Sequence, residues 1–155
     1  MATVTGPLMG DAKNTTATAL QGALVDLIDL SLVAKQLHWN VIGTNFRSVH
    51  LQLDEVVTLA RTYTDTIAER LSALGVNADG RSATVSKNTK LTQPESGWIE
   101  SGKVVATMTD ILGGISARMR ERMDLTEKSD QATQDIIISV IQDIEKQHWM
   151  FQAMS

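Results

Sequence analysis

The sequence predicts an all-α protein, a four-helix bundle with one long crossover connection, and three observations carry that reading. Apolar residues recur at three- and four-residue steps through four long segments. The two prolines, Pro7 and Pro94, leave uninterrupted stretches on both sides of Pro94 in which long helices can run. Three tryptophans, two phenylalanines and one tyrosine are few aromatics for a β-sandwich or barrel. A chain of 155 residues supports one hydrophobic core and therefore one domain.

The first helix runs through Leu20, Leu24, Leu27, Ile28, Ala34 and Leu37. Its start is expected near Asn14 to Thr16, whose side chains can cap, and its end before Gly43. After Gly43-Thr44-Asn45 the period resumes at Phe46, Val49, Leu53, Val56, Val57, Ala60, Ile67, Leu71 and Leu74, and Gly75 closes this second helix. Residues 75–100 are turn-rich, so they read as a connection with at most a short helix around Pro94 to Glu100. Val104, Met108, Ile111, Leu112, Ile115 and Met119 give a third helix, with Gly113 and Gly114 allowing close packing or a kink. Ser129 is the expected cap of a fourth helix, from Asp130 to about Ala153. Short turns within each helix pair and a long connection between the pairs make the ferritin-like topology rather than the up-down-up-down one. Residues 14–155 are the expected bundle, and 1–13 a flexible N-terminal segment.

Composition removes several function classes. Without cysteine there is no disulfide scaffold, thiolate zinc site, iron–sulfur cluster or cysteine nucleophile. No unbroken apolar run approaches a membrane span, and the first residues lack a basic, then apolar leader, so a cytoplasmic protein is expected. A net charge of −4 opposes phosphate backbones.

The chemistry concentrates between residues 38 and 69. His50 and Asp54 are four apart, as are Asp65 and Glu69, so each pair projects from one helical face as a two-ligand clamp. The clamps are separated by roughly 22 Å of helix, so they cannot hold one ion together within a straight helix. Their angular offset is only about 60°, so one face carries a clamp at each end. Two such helices packed antiparallel would bring clamp 50/54 of one against clamp 65/69 of the other, building two identical sites at a two-fold interface. His38, one turn before Gly43, can be carried beside His50 by the hairpin. Two imidazoles with three carboxylates suit Fe(II), Mn(II) or Zn(II), and are too nitrogen-rich for calcium. The competing reading is a solvated helical face, because charged pairs at this spacing are common.

The segment Lys35-Gln36-Leu37-His38-Trp39-Asn40-Val41-Ile42-Gly43, followed by Phe46, His50, Asp54-Glu55, Asp65 and Ala68-Glu69-Arg70, resembles the Dps family of mini-ferritins. All five ligand positions match, and the likeness extends into Asp143-Ile144-Glu145-Lys146-Gln147-His148-Trp149-Met150-Phe151. The resemblance implies a hollow homododecamer with ferroxidase centres at two-fold interfaces. There Asp65 and Glu69 of one subunit and His38 of another hold the tighter iron. Glu69 bridges to a weaker site completed by His50 and Asp54. It implies a di-iron site, with zinc possible in the protein as isolated. Iron(II) is oxidised in pairs, preferably by hydrogen peroxide, and ferric oxyhydroxide is stored in the cavity. Paired oxidation matters because one-electron reaction with peroxide releases hydroxyl radical. The resemblance also places Trp39 near the metal in a radical-trapping role, and Asp130 and Asp135 at three-fold pores where an acidic ring would concentrate Fe(II).

Other features weigh less. Glu145 and His148 have the Glu-x-x-His spacing of di-iron bundles, but this single copy lacks the second one such sites need, so packing or surface is the reading. The methionines at 108, 119, 123, 150 and 154 follow helical spacing as packing groups. DNA-binding members of the family carry a lysine-rich tail, whereas here Lys13 is the only basic residue before Lys35 and no lysine or arginine follows Lys146. Twelve subunits would give a shell of about −48, so DNA binding is expected to be weak or absent. The rival functions are a nucleoid-compacting structural protein and a cage of this fold recruited to another enzymatic activity.

Overall fold

Residues 3–155 are described by a computed structural model, in which five helices and one pair of two-residue strands follow one another. They are α1 (Gly10–Asn40), β1 (Val41–Ile42), α2 (Phe46–Ala73), α3 (Ser82–Asn88), β2 (Ile99–Glu100), α4 (Ser101–Ser129) and α5 (Gln131–Gln152). Helix α1 packs on α2 and α4, and α5 packs on α4 and α2. The four long helices thus enclose one core, with the crossover between α2 and α4 laid against α1. This is the ferritin-like bundle that the periodicity predicts.

The stripes meet as expected. Leu20, Leu24, Leu27, Leu30 and Leu37 of α1 are buried against Leu53, Ile67 and Leu71 of α2, Met108, Leu112 and Ile115 of α4, and Ile137, Val140, Ile144 and Phe151 of α5. Each such side chain contributes about 1.5–3 kcal/mol on removal from water. An 18-residue window of α1 is long and apolar enough to cross a membrane by composition alone, yet 67% of that window is buried inside the bundle. Its apolarity is accounted for by α1 touching both α2 and α4.

Three places differ from the sequence reading. Helix α1 starts at Gly10, so residues 10–13 of the expected flexible segment are helical, while Met1 and Ala2 lie outside the described residues. Thr16 does not cap. It is buried within α1, and its hydroxyl bonds Ser129 at the far end of α4. The short crossover helix is at Ser82–Asn88, not around Pro94 to Glu100. The Asp79 carboxylate accepts from the Arg81 amide and the Thr84 hydroxyl and so nucleates α3, whereas Gly97, at φ +100°, turns the chain before α4. Ile99 and Glu100 pair in parallel with Val41 and Ile42 instead. Finally, Asp130, not Ser129, is the N-cap of α5, its carboxylate accepting from the Thr133 amide.

Two further contacts position the candidate site. Gly43 turns the α1–α2 hairpin at φ +104°, with the Glu100 carboxylate lying where a Cβ would sit. Buried Asp29 of α1 accepts from the Thr89 hydroxyl and from Gln93 Nε2, pinning the crossover.

Candidate metal centre

The hairpin brings His38, at the end of α1, against His50, one turn into α2. Their rings stack with centroids 3.7 Å apart and planes 19° apart. Nδ1 of His38 donates to the His50 carbonyl at 2.8 Å, and Nδ1 of His50 donates to the His38 carbonyl at 2.9 Å. A carbonyl oxygen only accepts, so each Nδ1 carries a proton, and Nε2 is the nitrogen of each ring left for an ion. This is how a metal-binding imidazole is held: one nitrogen anchored to backbone, the other presented to the ion.

Asp54, one turn after His50, lies beside His38. Its Oδ1 lies 3.4 Å from His38 Nδ1 and 2.6 Å from Lys35 Nζ. The hydrogen bond from Lys35 holds the Asp54 carboxyl below the usual aspartate range, outweighing the opposite effect of desolvation, with His38 and His50 adding to the lowering. Asp54 is therefore an anion at neutral pH. Lys35 has no assigned role in the sequence reading. Its signal was its place three residues before His38, on the same face of α1.

Asp65 and Glu69 lie further along α2, both exposed. Among the described residues of one chain, no three His, Asp or Glu side chains gather closely enough to hold a metal ion. A single chain stacks His38 on His50 and sets Asp54 beside His38, without gathering the three into a metal-holding group, and Asp65 and Glu69 lie further along α2. Beside the His pair Trp39 is 62% exposed and Phe46 43%, with Phe46 against His50 at 5.0 Å, and earlier on α1 Leu32 is 57% exposed. Leu32, Gln36 and Trp39 follow one stripe of α1, with Leu32 and Trp39 exposed on it.

The remaining candidates are placed differently. Asp130 is bound within its own chain, to Arg70 at 2.6 Å and to Thr133, while Asp135 is exposed. Burial alone would raise the Asp130 carboxyl, but the bonds from Arg70 and Thr133 prevail and hold it below its ordinary value. Glu145 is taken up by Arg120, through Nε at 2.6 Å and Nη2 at 2.9 Å, and by the Ser116 hydroxyl at 2.7 Å. The His148 ring occupies the space that the missing side chain of Gly113 leaves on α4. Glu145 and His148 thus join α4 to α5.

A family model described as Ferritin, ferritin-like domain, matches residues 17–155. The DNA protection during starvation protein of Agrobacterium fabrum is 33% identical over 147 residues, covering 94% of this chain and 91% of that protein. The chain belongs to the Dps family of ferritin-like proteins. Solved Dps structures superpose closely. That of Mycobacterium smegmatis Dps, in its tetragonal form, has a TM-score of 0.92 at 28% identity, covering 99% of this chain and 93% of that one. Dps from Microbacterium arborescens, solved in a high iron form, has a TM-score of 0.90 at 28% identity, covering 99% and 98%. Dps membership agrees with the bundle topology.

Proposed function

We propose that this Dps-family chain is a ferroxidase and iron store of the cytoplasm, taking Fe(II) as substrate and hydrogen peroxide as oxidant at centres completed by two copies of the chain. The observation that carries the reading is the reciprocal His38–His50 lock beside an ionised Asp54. It holds two imidazoles, His38 buried and His50 partly exposed, next to a carboxylate, while the other two carboxylates, Asp65 and Glu69, stand roughly 22 Å further along α2. An antiparallel second copy supplies what one chain lacks.

In this reading Asp65 and Glu69 of one subunit and His38 of the other hold one iron, and Glu69, His50 and Asp54 hold the second. Nitrogen and oxygen donors in this mixture suit Fe(II), and zinc competes for the same set. Two Fe(II) ions give one electron each to one peroxide, whose O–O bond breaks to two hydroxides, so no hydroxyl radical is released. Ferric oxyhydroxide then accumulates inside a dodecameric shell. Trp39, directly after His38, is placed to intercept stray one-electron oxidants, and Asp135 to attract Fe(II) towards a pore. Asp130 already neutralises Arg70 and contributes less there. The name DNA protection during starvation, which the Agrobacterium fabrum protein carries, fits protection by removing iron and peroxide together. Direct DNA binding is opposed by the net charge of −4.

Crystals soaked in Fe(II) without oxygen, measured on both sides of the iron absorption edge, test the assignment. The expected result is anomalous density between His38, His50 and Asp54 of one subunit and Asp65 and Glu69 of the partner subunit. Iron bound elsewhere, with that place empty, overturns the function.

A further inference from the structure

Asp26 lies in the N-terminal half of α1, roughly 18 Å along the helix from His38. Its side chain is 2% exposed and accepts three hydrogen bonds from two arginines of α4. Arg118 donates through Nε and Nη2, both at 3.0 Å, and Arg122 through Nη1 at 2.7 Å. One carboxylate between two guanidiniums neutralises only one of them, and partly buried charge without a partner is costly.

These two arginines form a wall of a cleft of about 430 Å³ whose other walls include Gln21, Asp79, Thr84, Asn88 and Lys90. The second acid of the cleft, Asp79, is neutralised by Arg81 through paired bonds of 2.8 and 2.7 Å. Lys90 is exposed and makes no ion pair among the described residues. With Arg81, which stands outside the cleft, offsetting Asp79, the charge here stands two positive in excess, on a chain whose net charge is −4.

The donors are also unspent. A guanidinium carries five N–H groups, and Asp26 uses two from Arg118 and one from Arg122. Gln21 and Asn88 each direct one amide bond to a backbone carbonyl, which leaves each a second N–H. Space for Arg122 is made by Gly22, where a Cβ would lie 2.8 Å from Arg122 Nη2.

We propose that this cleft binds a phosphate dianion, free or carried as a monoester on a small organic molecule, between Arg118, Arg122 and Lys90. The guanidinium N–H groups that Asp26 leaves unused can donate to the oxygens of a tetrahedral oxyanion, and a monoester near neutral pH carries about the opposite of the excess charge. Because Asp26 already holds both guanidiniums in place, little side-chain freedom is lost on binding. The arginine side chains are recessed, 25% and 15% exposed, which suits a small ion entering the cleft better than a duplex backbone lying across it. The cleft is larger than one oxyanion needs, leaving room for an organic group. The site stands apart from the candidate iron centre and does not depend on it.

The test is calorimetry and phosphorus NMR on the chelator-treated, full-length protein, with inorganic phosphate and glycerol phosphate as probes and ionic strength held constant with sodium chloride. At least one probe is expected to bind saturably, and the tighter of the two distinguishes a free ion from an organic ester. Arg122→Gln is expected to weaken binding about tenfold and Lys90→Gln roughly threefold, as charge-assisted bonds are lost. Gly22→Ala keeps every charge but displaces the Arg122 guanidinium, so it also weakens binding, and with Lys90→Gln it carries the test if Arg122→Gln does not fold. Absence of saturable binding by either probe, or equal affinity in all the folded variants and the unmodified protein, overturns the proposal. So does retention of a DNA duplex at this surface without binding of either phosphate probe.

Discussion

Lys35 Nζ and Asp54 Oδ1 meet at 2.6 Å across the α1–α2 hairpin, so one candidate iron ligand already holds a cation. A second metal ion that uses Asp54 has to displace that ammonium or share the carboxylate with it. Both side chains are partly exposed, at 24% and 45%, so the pair is worth about 0.2–1 kcal/mol rather than its full Coulomb energy. Lys35→Met is therefore expected to tighten the second divalent ion about two- to fivefold. Anaerobic Co(II) titration, followed by its visible absorption, reads both binding steps. Identical second-step affinity in the variant would show that Lys35 does not oppose the ion.

The separation of the two clamps along α2 predicts complementation between damaged chains. His38→Ala with His50→Ala, and Asp65→Ala with Glu69→Ala, are each expected to abolish fast Fe(II) oxidation by peroxide, because each removes half of every centre. A hybrid of the two chains contains one intact centre and one centre stripped on both sides. Stopped-flow absorbance of the ferric product should recover in verified hybrids towards about half the unmodified rate per interface. Hybrids as inactive as both parents would contradict the inter-subunit geometry.

Tyr63, the one tyrosine of the chain, donates to Asp143 Oδ2 at 2.7 Å between α2 and α5. Desolvation, then the hydrogen bond and charge of Asp143, push its hydroxyl up to about 12. The raised value means that this contribution to stability is complete below the ordinary tyrosine pKa, and is lost as pH rises from there through about 12. Absorbance at 295 nm should rise with a midpoint near 12, and Asp143→Asn should lower that midpoint. An unmodified midpoint near 10 with helical circular dichroism intact would refute the account.

Asp130 joins the start of α5 to Arg70 of α2 and holds its carboxyl below the usual aspartate value. Asp130→Ala removes the N-cap and leaves Arg70 without its acid, costing about 1–2 kcal/mol at neutral pH. A depressed carboxyl stabilises the fold above its ordinary pKa, and this contribution is lost as pH falls through the lower folded value. The gap in unfolding midpoint between the two proteins should thus be full at pH 7 and shrink below about pH 4. A gap that is constant with pH would mean that the ion pair contributes nothing and the cost is backbone capping alone.

The existence of four long helices was legible in the sequence because burial imposes a period, and Leu20 to Leu37 or Val49 to Leu71 record it directly. The same regularity placed His50 over Asp54 and Asp65 over Glu69, since helical spacing is local geometry. The separation of those pairs is local geometry too, and it is why the proposed centre draws on a second chain. Ends and connections were less legible. Thr16 looked like a cap but is buried against Ser129, Ser129 yields that role to Asp130, and the short crossover helix sits at 82–88 because of side-chain bonds from Asp79 rather than any apolar period. Tertiary structure alone decided the approach of α1 to α2 across the Gly43 turn. That approach stacks His38 on His50, fixes the proton of each ring on Nδ1, and sets Lys35 against Asp54. The packing of α1 on α4 likewise brought Asp26 onto Arg118 and Arg122, nearly a hundred residues later in the chain. Periodicity reports which face of a helix is buried, whereas which charged groups on two faces meet depends on the distance and rotation between helices, and no local spacing encodes those.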